Sequence, residues 1–404
     1  MHIPKDVKEL SNIFHQHGYD LFVVGGAVRD FILGKEPHDF DLVTNAQPNA
    51  IVRILEHRYR LGLHGRHFAV VRVFTKETPD GIEIASYRKD IAKGRDNKVD
   101  PNNPKVEFGR HITIRDDVFR RDLTCNALYY DIRREKIVDL VGGLEDIRNG
   151  IIRAVGNPRD RFAEDRLRIL RVFRFASKMN LKIDKATADA ITYDNRLNGI
   201  SPEDDVTQER INEEFYGNPE KPGMLMWCQQ HRDMESWIRY MNYLKEFKMF
   251  VRMYPDVKLN TNVLKTLNEK IIYTKLFDRN EPTHDFNLKM TEEFRLPSRI
   301  SDAVILLLKI KKYFNEKNIE QLFDYDNKYL NIVLLYRYKI DYRISNNTIS
   351  EYADLENLDR KFVDAFLKYS VTTDAEEIMK LGFRGKDLGI EIKRIETEKF
   401  KELI

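Results

Sequence analysis

The residues best suited to chemistry fall in three short stretches, the first being Gly25-Gly26-Ala27-Val28-Arg29-Asp30 followed by Asp39-Phe40-Asp41. Paired glycines between a strand and a helix let backbone N–H groups approach a phosphate closely, with the positive end of the helix dipole behind them. Arg29, in the first helical turn, adds a fork of donors for that phosphate. Asp39 and Asp41 stand two residues apart on an expected strand, so their carboxylates point to one face. Two hard oxygen ligands at that spacing suit Mg²⁺, which keeps water and substrate phosphates as its other ligands. Taken singly, Gly25-Gly26 is also readable as a tight turn and Asp39-x-Asp41 as the surface start of a strand. Their combination, with Arg29 between, argues for a site. Glu83 alternates with Ile82 and Ile84 and is a third candidate carboxylate for two-metal phosphoryl transfer, provided it shares the aspartates' face. A solvent-facing strand glutamate is an equal reading of it.

The second stretch is Arg120-Arg121-Asp122-Leu123-Thr124-Cys125-Asn126-Ala127-Leu128. Two arginines, an acid and an asparagine just before a strand suit a triphosphate or a ribose and hold one another by ion pairing; a salt-bridged helix end is the plainer reading. The third runs from Glu164-Asp165 to Phe175. On one helix, Asp165, Arg168, Arg171 and Arg174 follow at three-residue steps and form a polar ridge beside an apolar face of Leu167, Leu170 and Phe175. Alone, such a helix is usually a solvated amphipathic one. As a base reader it has a specific logic: a carboxylate accepts from an exocyclic amine while a guanidinium donates to ring acceptors. Cytosine and adenine share that edge, whereas uracil and guanine present a carbonyl where the amine should be.

The elements around these residues divide the chain. Leu21 to Val24 reads as a buried strand ending at Gly25-Gly26, and Ala27 to Leu33 as a helix stopped by Gly34. Phe40 to Val43, Ala69 to Phe74 and Ile82 to Ser86 are further strands, and Leu128 to Asp131 with Ile137 to Leu140 forms a hairpin. The head is therefore α/β or α+β. The polar stretch between Ile91 and Glu107, with Gly94, Pro101 and Pro104, reads as a mobile loop. From about Asp160 strand signals fade: Phe162 to Met179 is helical in pattern, and residues 205 to 404 break into helices at prolines and glycines.

With 404 residues, more than one domain is expected. The 68 basic and 65 acidic residues leave a formal charge of +3, so attraction to a polyanion must come from local basic surfaces. Lys309, Lys311 and Lys312 suit phosphate contact, with a solvated lysine face as the default. Cys125 and Cys228 are too few for a disulfide framework, which fits a reducing compartment. The N-terminus has no apolar stretch of signal-peptide length, and the run Ala303 to Leu308 is far too short to cross a bilayer. A cytoplasmic chain without a membrane or an evident protein partner is expected.

Together the three stretches resemble the class II branch of the DNA polymerase β type nucleotidyltransferases, which contains bacterial CCA-adding enzymes (tRNA nucleotidyltransferases) and bacterial poly(A) polymerases. Gly25-Gly26-x-Val28-Arg29-Asp30-x-x-Leu33-Gly34 with Asp39-x-Asp41 is similar to the family's metal and triphosphate motif. Arg120-Arg121-Asp122-x-Thr124-x-Asn126-Ala127 resembles its ribose-selecting motif, and Glu164-Asp165-x-x-Arg168 with Arg171 and Arg174 its amino-acid template for the incoming base. Glu209-Arg210-Ile211 with Glu213 resembles a later neck motif, and Gly382 to Gly389 the closing turn of the tail. The resemblance implies an α+β class: a polymerase β-like nucleotidyltransferase head over residues 1–140, a helical neck over 141–215 and a helical body and tail over 216–404 that bind tRNA. It further implies that Asp39 and Asp41 bind Mg²⁺, that Glu83 is the third candidate, and that Gly26, Arg29, Arg121, Asp165, Arg168, Arg171 and Arg174 contact CTP or ATP. Addition of C, C and A to tRNA without a nucleic-acid template is the expected activity. Poly(A) addition is the nearest rival, since Gly65-Arg66-His67-Phe68 partly resembles a stretch of that branch; against it, no long basic extension follows the tail turn. A non-catalytic RNA-binding protein would not need the Asp39 and Asp41 dyad.

Overall fold

The structure, a computed structural model, describes residues 1–37, 39–64, 70–91, 105–107, 109, 111–197, 206–217, 221–253, 261–276 and 297–404. The chain divides into two compact units, one of residues 1–214 with 242–249 and the other of residues 215–241 with 250–404.

The first unit opens with α1 (Lys5–Gln16), β1 (Leu21–Val24) and α2 (Gly26–Ile32). There follow β2 (Leu42–Thr44), α3 (Pro48–Leu55), β3 (Arg60–His64), β4 (Val70–Phe74), β5 (Ile82–Ser86), β6 (Lys89–Ile91) and β7 (Lys105–Glu107). Then come α4 (Ile114–Phe119), β8 (Leu128–Asp131), β9 (Lys136–Asp139), α5 (Gly143–Arg148) and β10 (Ile151–Ile152). Seven strands form one mixed sheet in the order β3-β4-β5-β2-β1-β8-β9. β1 lies inside this sheet, antiparallel to β2 and β8, while β2 runs parallel to β5. All four residues of β1 are buried, as a continuous apolar strand covered on both faces must be. On one face Phe22, Val24, Val43, Ala127 and Tyr129 pack with Val118 and Val155.

The sheet contains β3, which no strand pattern announced because Arg60-Leu-Gly-Leu-His carries a glycine and two polar ends. The stretch expected as a polar loop is closed at its ends by a small antiparallel pair, β6 with β7; its residues 92–104 lie outside the described ones. Beyond the sheet run α6 (Pro158–Glu164), α7 (Leu167–Met179), a two-residue β11 (Lys182–Ile183) paired with β10, α8 (Lys185–Leu197) and α9 (Gln208–Phe215).

The single helix expected over Phe162 to Met179 is two. Asp165 adopts extended angles (φ −155°, ψ 107°), and its Oδ1 accepts the Leu167 N–H at 3.1 Å, capping α7 from outside. A short carboxylate competes with the helix for backbone donors, so the apolar periodicity runs through a break it does not reveal. Asp165 therefore does not share a helix with Arg168, Arg171 and Arg174.

The regular elements of the second unit, among its described residues, are helices. Its core gathers Ile271, Leu306, Leu307, Ile310, Phe314, Leu335, Ile349, Tyr352, Phe366 and Phe400. The run Ala303 to Leu308 belongs to the helix Ser298–Tyr313 and is buried there except at the half-buried Ile305, and among the described residues no helix is long and apolar enough to cross a membrane. Lys311 pairs with Glu356 at 2.7 Å and Lys309 lies over the Tyr338 ring, so neither is a simple solvated lysine. The Gly382 turn, with φ +101°, leads into the helix Gly385–Lys401.

Candidate active site

β1 leaves the sheet at Gly25, whose φ of +73° is the left-handed region that a side chain would strain. The Gly25 N–H donates to Leu128 O at 3.1 Å, tying the turn to β8, and Val24 N–H donates to Asp41 O at 3.0 Å. This last bond sets Asp41 beside the glycine turn. The strand expected from Phe40 begins only at Leu42, because β1 turns away at Gly25 and leaves residues before Asp41 without a ladder partner. Asp39 and Asp41 are both exposed. Extending the β2–β5 register, in which Leu42 faces Ile84, back by one residue puts Asp41 opposite Glu83. Glu83 itself accepts Arg72 Nη2 at 2.6 Å across the β4–β5 pair. Among the described residues no three acidic, histidine or cysteine side chains form a metal-holding group. The donor chemistry nonetheless fits Mg²⁺: two hard, solvent-reachable carboxylates leave coordination positions for phosphate oxygens and water.

Arg29, on α2, reaches Asn126 Oδ1 at 2.7 Å and pairs with Asp30 at 2.8 Å. Arg121 follows α4, whose start is fixed by a Thr113–Asp116 capping box. Its Nη2 donates to Asp117 Oδ2 at 3.0 Å and its Nε to the Tyr129 hydroxyl at 2.8 Å; the third edge is aimed at the glycine turn, since a methyl group at Gly25 would stand 3.9 Å from Arg121 Nη1. Asp117 is fully buried and also takes Arg120 Nε at 2.8 Å and the Tyr129 hydroxyl. Burial alone would raise its carboxyl, but the Arg120 and Arg121 charges outweigh it and hold it down to about 2. Asp122 behaves alike: burial opposes, and the Arg171 guanidinium, bonded through Nε at 2.7 Å, brings it to about 2. Cys125 is buried, and burial pushes its thiol up to about 12, so it acts as a small core side chain.

On α7, Arg168 donates to Glu164 Oε2 at 2.7 Å and to the Arg120 carbonyl at 3.1 Å. Arg171 and Arg174 both approach Glu214, at 3.5 and 2.9 Å, and Asp165 Oδ2 accepts Arg210 Nη2 at 3.1 Å. Arg210 and Glu214 come from α9, four residues apart on one face. Of the neck residues singled out from sequence, Arg210 pairs with Asp165, while Glu213 is exposed and its neighbour Glu214 pairs with Arg171 and Arg174. Phe175, assigned to the apolar face with Leu167 and Leu170, instead follows Arg171 by four residues and stands among the arginines. Asp117, Tyr129, Glu214 and Phe175 were missed. The three- and four-residue spacing of Asp117 to Arg120 and Arg121 was the available signal for the first.

A mixed sheet with a glycine turn, an adjacent aspartate pair and a helical continuation defines a nucleotidyltransferase head. Residues 21–153 match the family described as the Poly A polymerase head domain. The chain is 38% identical over 199 residues to a CCA-adding enzyme of Ligilactobacillus salivarius, covering 48% of this chain and 46% of that protein. It is 37% identical over 195 residues to poly(A) polymerase I of Salmonella typhi, covering 46% and 40% respectively. The chain thus spans about half the length of the curated relatives it matches. In fold it is similar to the Thermotoga maritima CCA-adding enzyme complexed with tRNA_CCA, with a TM-score of 0.63 at 17% identity over 99% of this chain and 92% of the other.

Proposed function

We propose that this protein adds C, C and A to the 3′ end of tRNA, taking CTP and ATP and releasing pyrophosphate. The observation that carries this reading is the joining of three sequence-distant stretches within the first unit by two side-chain bonds, Arg29 to Asn126 and Arg171 to Asp122, both 2.7 Å. On this reading residues 1–140 are the catalytic head, 141–215 the base-reading neck, and 216–404 the tRNA-binding body and tail. A tRNA substrate would place the protein in the cytoplasm.

In the reaction the terminal ribose 3′-hydroxyl attacks the α-phosphate of the nucleotide, and pyrophosphate leaves. Asp39 and Asp41 would hold Mg²⁺, which when bound neutralises triphosphate charge and lowers the hydroxyl's pKa. Gly26 lets the backbone approach the phosphates, and Arg29, Arg121, Arg171 and Arg174 line the triphosphate. Asp117 and Tyr129 hold Arg121 from two sides, fixing the edge it offers. Asp165 accepts from the exocyclic amine of cytosine or adenine, and Arg168 donates to the ring acceptor beside it. Glu83 is a supporting carboxylate, one that must exchange its Arg72 partner to act.

The test is product length. Purified protein is incubated with tRNA lacking its 3′ end and with CTP, ATP or both. Three added nucleotides support the reading. A long adenosine tail from ATP alone would support poly(A) addition, the activity named for the Salmonella relative; that reading's sequence support at Gly65 to Phe68 lies outside the described residues.

A further inference from the structure

Two phenylalanines two residues apart on α7 have opposite surroundings. Phe173 is fully buried, stacks on Tyr243 and meets Phe247 at a tilt, with ring centroids at 5.6 and 5.2 Å. Phe175 is half-buried, and three guanidinium groups lie over its ring: Arg29 at 5.1 Å, Arg174 at 5.2 Å and Arg171 at 5.5 Å. Three cations so close repel one another. Their carboxylate partners come from three parts of the unit: Asp30 for Arg29, Asp122 for Arg171, and Glu214 for Arg174 and more distantly for Arg171. The Phe175 ring is a group that all three share.

We infer that Phe175 is a positioning residue for a polyphosphate, gathering Arg29 of the head and Arg171 and Arg174 of the neck into one anion cradle. The inference rests on the proposed function and adds to it a residue that the third stretch contains but that was read there only as part of its apolar face. The physical basis is the ring quadrupole: its negative face attracts the flat face of a guanidinium and consumes none of the in-plane N–H groups that bind phosphate. Salt bridges alone use those same N–H groups. An aromatic hub therefore helps to hold the arginines together without taking any further N–H donor from a tetra-anionic ligand.

The experiment compares wild type with Phe175→Leu, Phe175→Tyr and a protein carrying pentafluorophenylalanine at 175, which keeps the ring's shape and reverses its quadrupole. Steady-state addition to tRNA gives KM and kcat for CTP and ATP. Calorimetry with inorganic tripolyphosphate, and separately with cytidine, reads binding without turnover. Leu and pentafluorophenylalanine should raise KM about tenfold, the scale expected when several weak cation–π attractions disappear at once, with kcat changed about twofold or less. Tripolyphosphate binding should weaken by the same factor and cytidine binding should not change, while Tyr restores wild-type values. If Leu does not fold, the fluorinated ring decides alone. Wild-type tripolyphosphate affinity with the fluorinated ring, an equal loss for cytidine, or Tyr as impaired as Leu would overturn the role. A wild-type protein that binds tripolyphosphate yet extends no tRNA overturns the proposed function and leaves the cradle standing.

Discussion

The two units bury charge in different ways. In the first, Asp122 and Glu164 hold arginines that keep part of their surface outward, Arg171 at 26% exposure and Arg168 at 13%. In the second, Glu356 takes Lys275, which is 1% exposed, together with Lys311, and Glu396 is fully enclosed, accepting from Tyr369, Thr372, Thr373 and Lys399. A guanidinium is a fork: one edge is fixed by a carboxylate and another stays directed at a ligand. A buried ammonium is a point charge, and once capped it offers nothing outward. The same pairing therefore builds a binding surface in one unit and fixes packing in the other. Substitutions should separate function from stability along that line.

The sharpest separation is at Asp39 and Asp41, both exposed. Alanine at either should reduce nucleotide addition by about a thousandfold or more, the scale of losing metal-assisted charge neutralisation, with tRNA affinity within a few-fold because phosphate contacts elsewhere supply it. Primer extension and filter binding on the same preparations check both halves. Full activity in the double variant would remove the metal assignment.

The opposite case is Glu356→Ala in the second unit. Removing the partner of a buried lysine leaves an uncompensated charge, and about 3–5 kcal/mol of stability should go. Urea unfolding measures this, and kcat below the transition should match wild type. A large loss of kcat in a folded variant would break the comparison.

Acid should act on the first unit through Asp117 and Asp122. Both carboxyls are depressed to about 2 in the folded state, so their contribution is complete above the unfolded value near 4 and disappears as pH falls through about 2. Asp117 is fully enclosed and Asp122 nearly so, and each contributes about 2 kcal/mol. Unfolding free energy measured from about pH 5 down to about pH 2 should fall across this window. Asp122→Asn should be less stable at neutral pH and show a shallower fall.

What the sequence disclosed follows the range of the interaction. Leu21 to Val24, the Gly25 turn and Ile82 to Ser86 are local patterns of apolar run and left-handed glycine, and they stand as expected. β3 is held by its pairing with β4 and has no such pattern of its own. The break at Asp165 escaped because apolar periodicity continues across it. Phe175 was read by its hydrophobicity when its helical position, four residues after Arg171, put it with the arginines. Glu214 was missed by one residue because only the packing of α9 distinguishes it from Glu213. The motifs themselves were legible, with Asp30, Asp122 and Glu164 inside them; Asp117, Glu214 and the role of the Phe175 ring were not, since those partners are chosen by the fold.

The smallest expected effect concerns base choice, and the structure refines it. Asp165 reaches neither α6 nor α7 as a helical residue; its Oδ1 caps α7 and its Oδ2 takes Arg210, so its place is set by both groups. As a carboxylate it accepts only, which favours the amine of cytosine or adenine over the carbonyl of uracil or guanine. Asp165→Asn has nearly the same shape and supplies a donor, so preference for CTP over UTP should narrow by about 1–3 kcal/mol. Arg168→Ala should depress CTP and ATP use together, because it removes the donor both bases share. Arg210→Ala is the control for placement: it frees Asp165 without changing its chemistry, so kcat/KM for CTP should fall while the CTP to UTP ratio stays nearer wild type than in Asp165→Asn. The measurement is kcat/KM for all four nucleotides on one tRNA primer. An Asp165→Asn protein that is folded, active and still as selective as wild type would take this carboxylate out of base reading and leave it a helix cap.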